Sequence, residues 1–255
     1  MASKVTRIDF TALSPAAQRR VFEQTARGWT RLYNTPVSDF EAYWFENKSR
    51  KTIIYLLRDD DDVCGMVTFK YYDVEYEGRR IVVVKTGVGT LPEARGSNFT
   101  ARCIATQAVY HAIEHARDEV YVFSTLIHPV TYQIITSFLD TYYPFYDRAQ
   151  DGELEKLASF LARHFGVQPS NRPEPYIFRE ARGVVESPTE RAYWRQKTNP
   201  AVRFFVDKCP DYNAGECFIM VAPIQSRFMF VAFAKLVKMQ IRRLTKRYVT
   251  NHERR

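Results

Sequence analysis

Thr90-Leu91-Pro92-Glu93-Ala94-Arg95-Gly96-Ser97-Asn98-Phe99-Thr100 is the stretch that decides how the rest of the chain reads. Pro92, Gly96, Ser97 and Asn98 are turn formers, and a periodic segment follows at once. Ala101, Ala105, Ala108 and Ala112 fall at i, i+4, i+7 and i+11. That spacing predicts a helix from Phe99 to His115 whose small-residue stripe can approach a sheet closely. A loop that opens a helix presents unpaired backbone N–H groups and the positive end of the helix dipole, which together suit an anion. Arg95 can add a charge-assisted contact, and Gly96 permits close approach.

Upstream, Thr52–Leu57 is a β-branched and apolar run, and Asp59–Asp62 reads as a solvated turn. Val63–Tyr72 follows, with Val67, Phe69 and Tyr71 alternating on one face. A Glu77-Gly78 turn leads into Arg80–Val88. The pattern predicts three consecutive antiparallel strands, and the continuous Ile81–Val84 predicts burial on both faces. Before them, a helix is predicted over Ser14–Gly28, with Ser14 as N-cap, Pro15 at the first position and Gly28 as terminator. A second helix starts near Ser38 and covers Phe40, Tyr43 and Trp44. Downstream come a strand over Val120–Leu126, a break at His128-Pro129, a helix over Val130–Leu139 and another over Glu153–Phe165. Ala201–Val206 and Cys217–Val221 read as two strands joined by a loop at 210–215, and the chain turns helical again from Ser226 to about Val249.

This order, with the Pro92-Glu93-Ala94-Arg95-Gly96 loop, resembles the GCN5-related N-acetyltransferase superfamily over roughly residues 5–145. Asn98 and Thr100 stand where the family prefers glycine. The resemblance implies an α/β (α+β) fold with a mixed, mostly antiparallel central sheet flanked by helices. Here that sheet is expected in a single domain over 1–255, with 140–200 as an inserted, mainly helical segment and 226–250 as a basic C-terminal helix. It implies an N-acyltransferase that passes an acyl group from a coenzyme A thioester, or from acyl-phosphopantetheine on a carrier protein, directly to a small-molecule or peptide amine. Cofactor contacts are expected from Val88, Thr90, Arg95, Gly96, Ser97, Asn98, Phe99 and Thr100. Val88 and Thr90 would offer backbone groups to the pantetheine arm. His128, just past the next strand, is the candidate base, and Tyr132 and Tyr143 are candidate acids. The alternative readings are a non-catalytic acyl-thioester-binding module and, as the weaker rival, a nucleic-acid-binding protein acting through its basic tail.

The 140–200 segment contains Tyr142, Tyr143, Phe145, Tyr146, Phe160, Phe165, Tyr176 and Phe178, which motivate an apolar tunnel for acetyl or a longer, fatty acyl chain. His111 and His115 share a helical face without an evident third ligand, so no metal is expected.

The chain has 255 residues, 45% of them hydrophobic, with 18 Phe and 16 Tyr, too aromatic for a disordered protein. Four scattered cysteines without a paired motif fit a reducing, cytoplasmic setting. The longest apolar stretch near the C-terminus is Phe228–Ala234, too short to span a bilayer. Net charge is +8, and residues 235–255 hold eight Lys/Arg against the single Glu253, which is +7 and leaves +1 for the rest. The basic character therefore belongs to the last helix, which argues against a nucleic-acid surface spread over the fold. That helix could dock an acidic acyl carrier protein or lie on an anionic membrane surface.

Overall fold

The computed structural model describes residues 4–45, 49–60, 62–180 and 182–224. The expected helix at 226–250 and its basic stretch at 235–255 lie outside the described residues. In chain order the elements are β1 (Lys4–Asp9), α1 (Pro15–Leu32), α2 (Val37–Phe45), β2 (Lys51–Asp59), β3 (Asp62–Tyr76), β4 (Arg79–Thr90), α3 (Phe99–Glu114), β5 (Val120–Leu126), α4 (Pro129–Thr136), α5 (Gly152–His164), β6 (Gln168–Pro169), β7 (Ile177–Arg179), α6 (Pro188–Arg195), α7 (Pro200–Lys208) and β8 (Glu216–Pro223). The strands form one sheet in the order β1-β2-β3-β4-β5-β8-β7-β6. Every neighbouring pair is antiparallel except β4 and β5. This is the mixed, mostly antiparallel GNAT-like sheet that the resemblance implies.

Alternation along the central strands sorts side chains to two covered faces. Ile53, Tyr55 and Leu57 of β2 join Val82 and Val84 of β4 in a cluster with Phe99 and Cys103 of α3. Ile54 and Leu56 face the other way, toward Phe22 and Trp29 of α1 and Phe40 and Trp44 of α2. Ile81 and Val83 belong to a third cluster with Leu157 and Leu161 of α5, Phe205 of α7 and most of β8. The expectation that Ile81–Val84 is buried on both faces therefore holds.

Ser14 caps α1 as expected, with Pro15 in its first turn, but the helix runs past Gly28 to Leu32. A Cβ at Gly28 would meet the Val63 carbonyl of β3 at 3.5 Å, an ordinary van der Waals contact. The expected strand at Ala201–Val206 is helix α7. Asn199 caps it through the Val202 N–H, Pro200 opens it, and the buried residues Ala201, Val202, Phe205 and Val206 follow helical spacing. The loop at 210–215 thus joins a helix to a strand, with a short 3-10 turn at Tyr212–Ala214. Strands β1, β6 and β7 were not legible in the local pattern. These eight aromatics of 140–200 pack into the core rather than around a tunnel: Tyr142, Tyr143, Phe145, Tyr176 and Phe178 are buried there, and Tyr146, Phe160 and Phe165 lie against them.

Candidate active site

β4 and β5 pair in parallel only from Val82/Val120 to Lys85/Phe123. Beyond that point β4 stays on β3 as far as Thr90, and β5 stays on β8 as far as Leu126. The two strands therefore part, bridged at the fork by the hydroxyls of Thr86 and Ser124. The Val82 N–H points toward β5, where it bonds Glu119 O at 2.9 Å. With a two-residue repeat, the backbone groups of Thr86, Val88 and Thr90 point the same way, into the gap. The Val88 carbonyl accepts a hydrogen bond from the Tyr33 hydroxyl at 2.9 Å. Gly89 makes room for this, since a Cβ there would stand 3.3 Å from that hydroxyl and 3.0 Å from Leu32 Cδ1.

The gap opens into a cleft of about 780 Å³. Val88, Thr90, Arg95, Gly96, Ser97, Asn98, Phe99 and Thr100, the residues expected to contact cofactor, all line it. Gly96 (φ 80) and Asn98 (φ 57) adopt left-handed conformations that turn the chain into α3. Asn98 makes no side-chain cap, so the first amides of α3 keep no side-chain acceptor of their own. Arg95 reaches across the cleft to the Glu190 carboxylate of α6. Glu190 also closes the Ser187 capping box that starts α6.

His128 lines the same cleft, at the N-terminus of α4. Its Nδ1 accepts the Val130 N–H at 3.3 Å, which places the ring proton on Nε2. Nε2 faces Glu186 Oε1 at 3.6 Å, and the other Glu186 oxygen accepts the Tyr212 hydroxyl at 2.7 Å. Burial raises the Glu186 carboxyl, but the nearby His128 ring, the Tyr212 hydrogen bond and Arg191 more than offset it and hold the group below the ordinary carboxylate range. Neither ring nitrogen thus offers a free lone pair to the cleft, which weakens the assignment of His128 as base.

The two tyrosines expected as acids are elsewhere. Tyr132 is fully buried, donating to Pro144 O at 2.7 Å, and Tyr143 is fully buried beside Tyr176 in the core. Both lie outside the residues that line the cleft. Two phenols line the cleft, Tyr33 and the exposed Tyr193; burial raises the Tyr33 hydroxyl above its ordinary pKa, so it stays protonated. Its sequence context, just past the end of α1, gives no sign of this: α1 and an isolated bridge to Val184 put it there. Glu190 on the opposite wall was missed for the same reason, as were Glu186 beside His128 and Arg182 in the adjoining cavity, all far from the loop in sequence.

No family model and no curated protein sequence matches the chain. Among solved structures, the chain is similar to a conserved Enterococcus faecalis V583 protein described as a probable N-acyltransferase, at 14% identity and a TM-score of 0.37 over 52% of this chain. That match spans only 31% of the Enterococcus chain. Escherichia coli ElaA is similar at 15% identity and a TM-score of 0.39, over 59% of this chain and 95% of that one. A chimera of spermidine N-acetyltransferase SpeG from Vibrio cholerae and hSSAT is similar at 10% identity and a TM-score of 0.38, over 89% of this chain and 99% of that one.

Proposed function

We propose that the chain is an N-acyltransferase that moves an acyl group from a coenzyme A thioester to an amine. The observation that carries this reading is the parting of β4 and β5 after Lys85 and Phe123, onto a cleft that ends at the uncapped N-terminus of α3. The cleft has the size of a cofactor site. Donors gather at one end, while Ile127, Val130 and Ile134 furnish apolar wall. That division suits a ligand with a phosphorylated head and a flexible arm.

In this reading the first amides of α3 and the Arg95 guanidinium hold the pyrophosphate. The backbone of Val88 and Thr90 holds the pantetheine arm. The bound thioester supplies an activated acyl carbon and a thiol leaving group. A nitrogen–carbon bond forms as the carbon–sulfur bond breaks; the amine loses one proton and the sulfur gains one. The Tyr33 hydroxyl, which rests on the Val88 carbonyl, turns from it to give its proton to the sulfur, and the tyrosinate takes back the proton that the amine sheds. Backbone N–H groups in the gap stabilise the negative charge that develops on the acyl oxygen. The core position of the 140–200 aromatics favours acetyl or another short acyl group over a fatty chain.

Calorimetry with acetyl-CoA, paired with thiol release in the presence of an amine panel, tests the reading. Saturable binding, weakened about tenfold in Arg95→Ala by loss of a charge-assisted bond, and amine-dependent release are expected. Absence of acetyl-CoA binding would sink the proposal. Binding with no release to any amine would favour the non-catalytic module.

A further inference from the structure

Beyond the fork, two smaller cavities adjoin the cleft through shared wall residues. The cleft shares Tyr33, Val88, Ile127 and Thr131 with a narrow throat of about 40 Å³. Thr86 and Gly87 of β4 and Thr125 and Leu126 of β5 line that throat. The throat shares Trp29, Tyr43 and Arg182 with a further cavity of about 120 Å³, which also meets Thr35, Asp39, Lys85 and Glu180. Arg182 therefore stands between the fork and a polar chamber on the α1–α2 side.

The chamber is built around cations that the protein does not fully pair. Arg182 lies 5.7 to 5.8 Å from the Trp29, Tyr33 and Tyr43 rings, and its Nε is buried without a hydrogen-bond partner. Its nearest carboxylate contact, Glu180, is at 3.6 Å, longer than a hydrogen bond. Thr35 Oγ1 is likewise buried and unpartnered. The Lys85 ammonium sits 5.0 Å over the Phe165 ring. Lys70, on the adjacent strand, donates to the Tyr43 carbonyl and lies 3.7 Å over the Tyr43 ring. Of the two carboxylates at the chamber, Asp39 is exposed and screened by solvent, and Glu180 alone is inside. Burial lowers both lysines; Lys85 and Arg182 lower Lys70 further, whereas at Lys85 the Glu180 carboxylate opposes Arg182.

We infer that the acceptor is an amine that also bears a carboxylate, with Arg182 and Lys85 holding the carboxylate while the amine reaches through the throat to the fork. This rests on the acyltransferase reading above. A planar guanidinium with free N–H groups is suited to a carboxylate, and the Lys85 ammonium adds charge without directional demand. Thr35 supplies a hydroxyl donor to the same group. The chamber's size matches the head of a small amino acid.

Matched amines that differ only in the acid group test this. Thiol release from acetyl-CoA is measured with glycine against glycinamide and 4-aminobutyrate against its amide. The expected result is at least a tenfold higher kcat/KM for the acids. Arg182→Gln should bring each pair to within about twofold while acetyl-CoA binding is unchanged, and Lys85→Met should erode the preference in the same direction. Equal use of acids and amides by the unmodified protein overturns this inference and leaves the acyltransferase reading standing. Absence of release with every amine overturns that reading instead. A readout independent of turnover is thermal stabilisation by succinate against succinamide. Stabilisation by succinate alone, lost in either variant, supports the anion chamber; equal responses overturn it.

Discussion

The Tyr33 hydroxyl donates to Val88 O at 2.9 Å, at the wall shared by cleft and throat. One phenol thereby fixes the parted strand at rest, and under the proposed function its single proton leaves that carbonyl for the sulfur. These two roles separate on substitution. Tyr33→Phe keeps the ring and its packing on Trp29 (centroids 4.2 Å apart) and removes only the hydroxyl. Loss of one neutral hydrogen bond should lower stability by about 1 kcal/mol. Loss of a general acid should lower kcat at least tenfold, with acetyl-CoA affinity within twofold. Steady-state kinetics and calorimetry check this; a variant that melts earlier at unchanged kcat would make Tyr33 a structural residue only. Sequence alone pointed to Tyr132 and Tyr143 because they follow the strand after the cofactor loop. Their burial comes from tertiary packing of α4 and α5 on β8, which no local pattern encodes.

At the scale of elements, α3 and α6 face each other across the cleft, tied by Arg95 and Glu190. Glu190 places a negative charge beside the amides proposed to hold pyrophosphate, and it engages the one arginine of the loop. Glu190→Gln keeps a side chain able to complete the Ser187 capping box, so α6 should form as before. Removing the charge and freeing Arg95 should tighten acetyl-CoA binding by threefold or more in calorimetry. Unchanged or weaker binding would mean that the pyrophosphate lies elsewhere. The loop and its helix were legible because turn residues and an alanine stripe are local signals. β2 to β5 were legible because they are long and strongly patterned. Helix α7 was not: Phe204, Phe205 and Val206 carry strand propensity, and the Asn199-Pro200 cap decides the outcome. Strands β6 and β7 have two and three residues, too few for a period to show. The chamber behind Arg182 was equally hidden, since its residues come from α1, α2, β4 and the segment after β7.

For the whole molecule, the buried titratable groups set how stability varies with pH. Burial and the charges of Lys85 and Arg182 lower Lys70 from 10.5 to about 7. Burial and His115 lower His111 from 6.5 to about 4. In both windows the unfolded chain binds the proton more tightly than the folded one, so stability rises with pH from about 4 to 6.5 and again from about 7 to 10.5. Tyr55 and Tyr71 act in the opposite sense. Burial raises both from 10.0 to about 12, so above pH 10 the folded state keeps protons that the unfolded state sheds, and stability falls. The melting temperature should therefore climb from acid through neutral pH and turn over near pH 10, rather than peak between pH 5 and 8 as is common. Each pH unit of a shift is worth about 1.4 kcal/mol, so the Lys70 window alone is large enough to read in a melting series. Lys70→Met replaces the ammonium by an uncharged chain of similar length in a site only 3% exposed. It should raise the melting temperature at pH 7 to 8 and flatten the rise toward pH 10. If the variant and the unmodified protein keep parallel curves across that window, Lys70 is not the group that drives the rise.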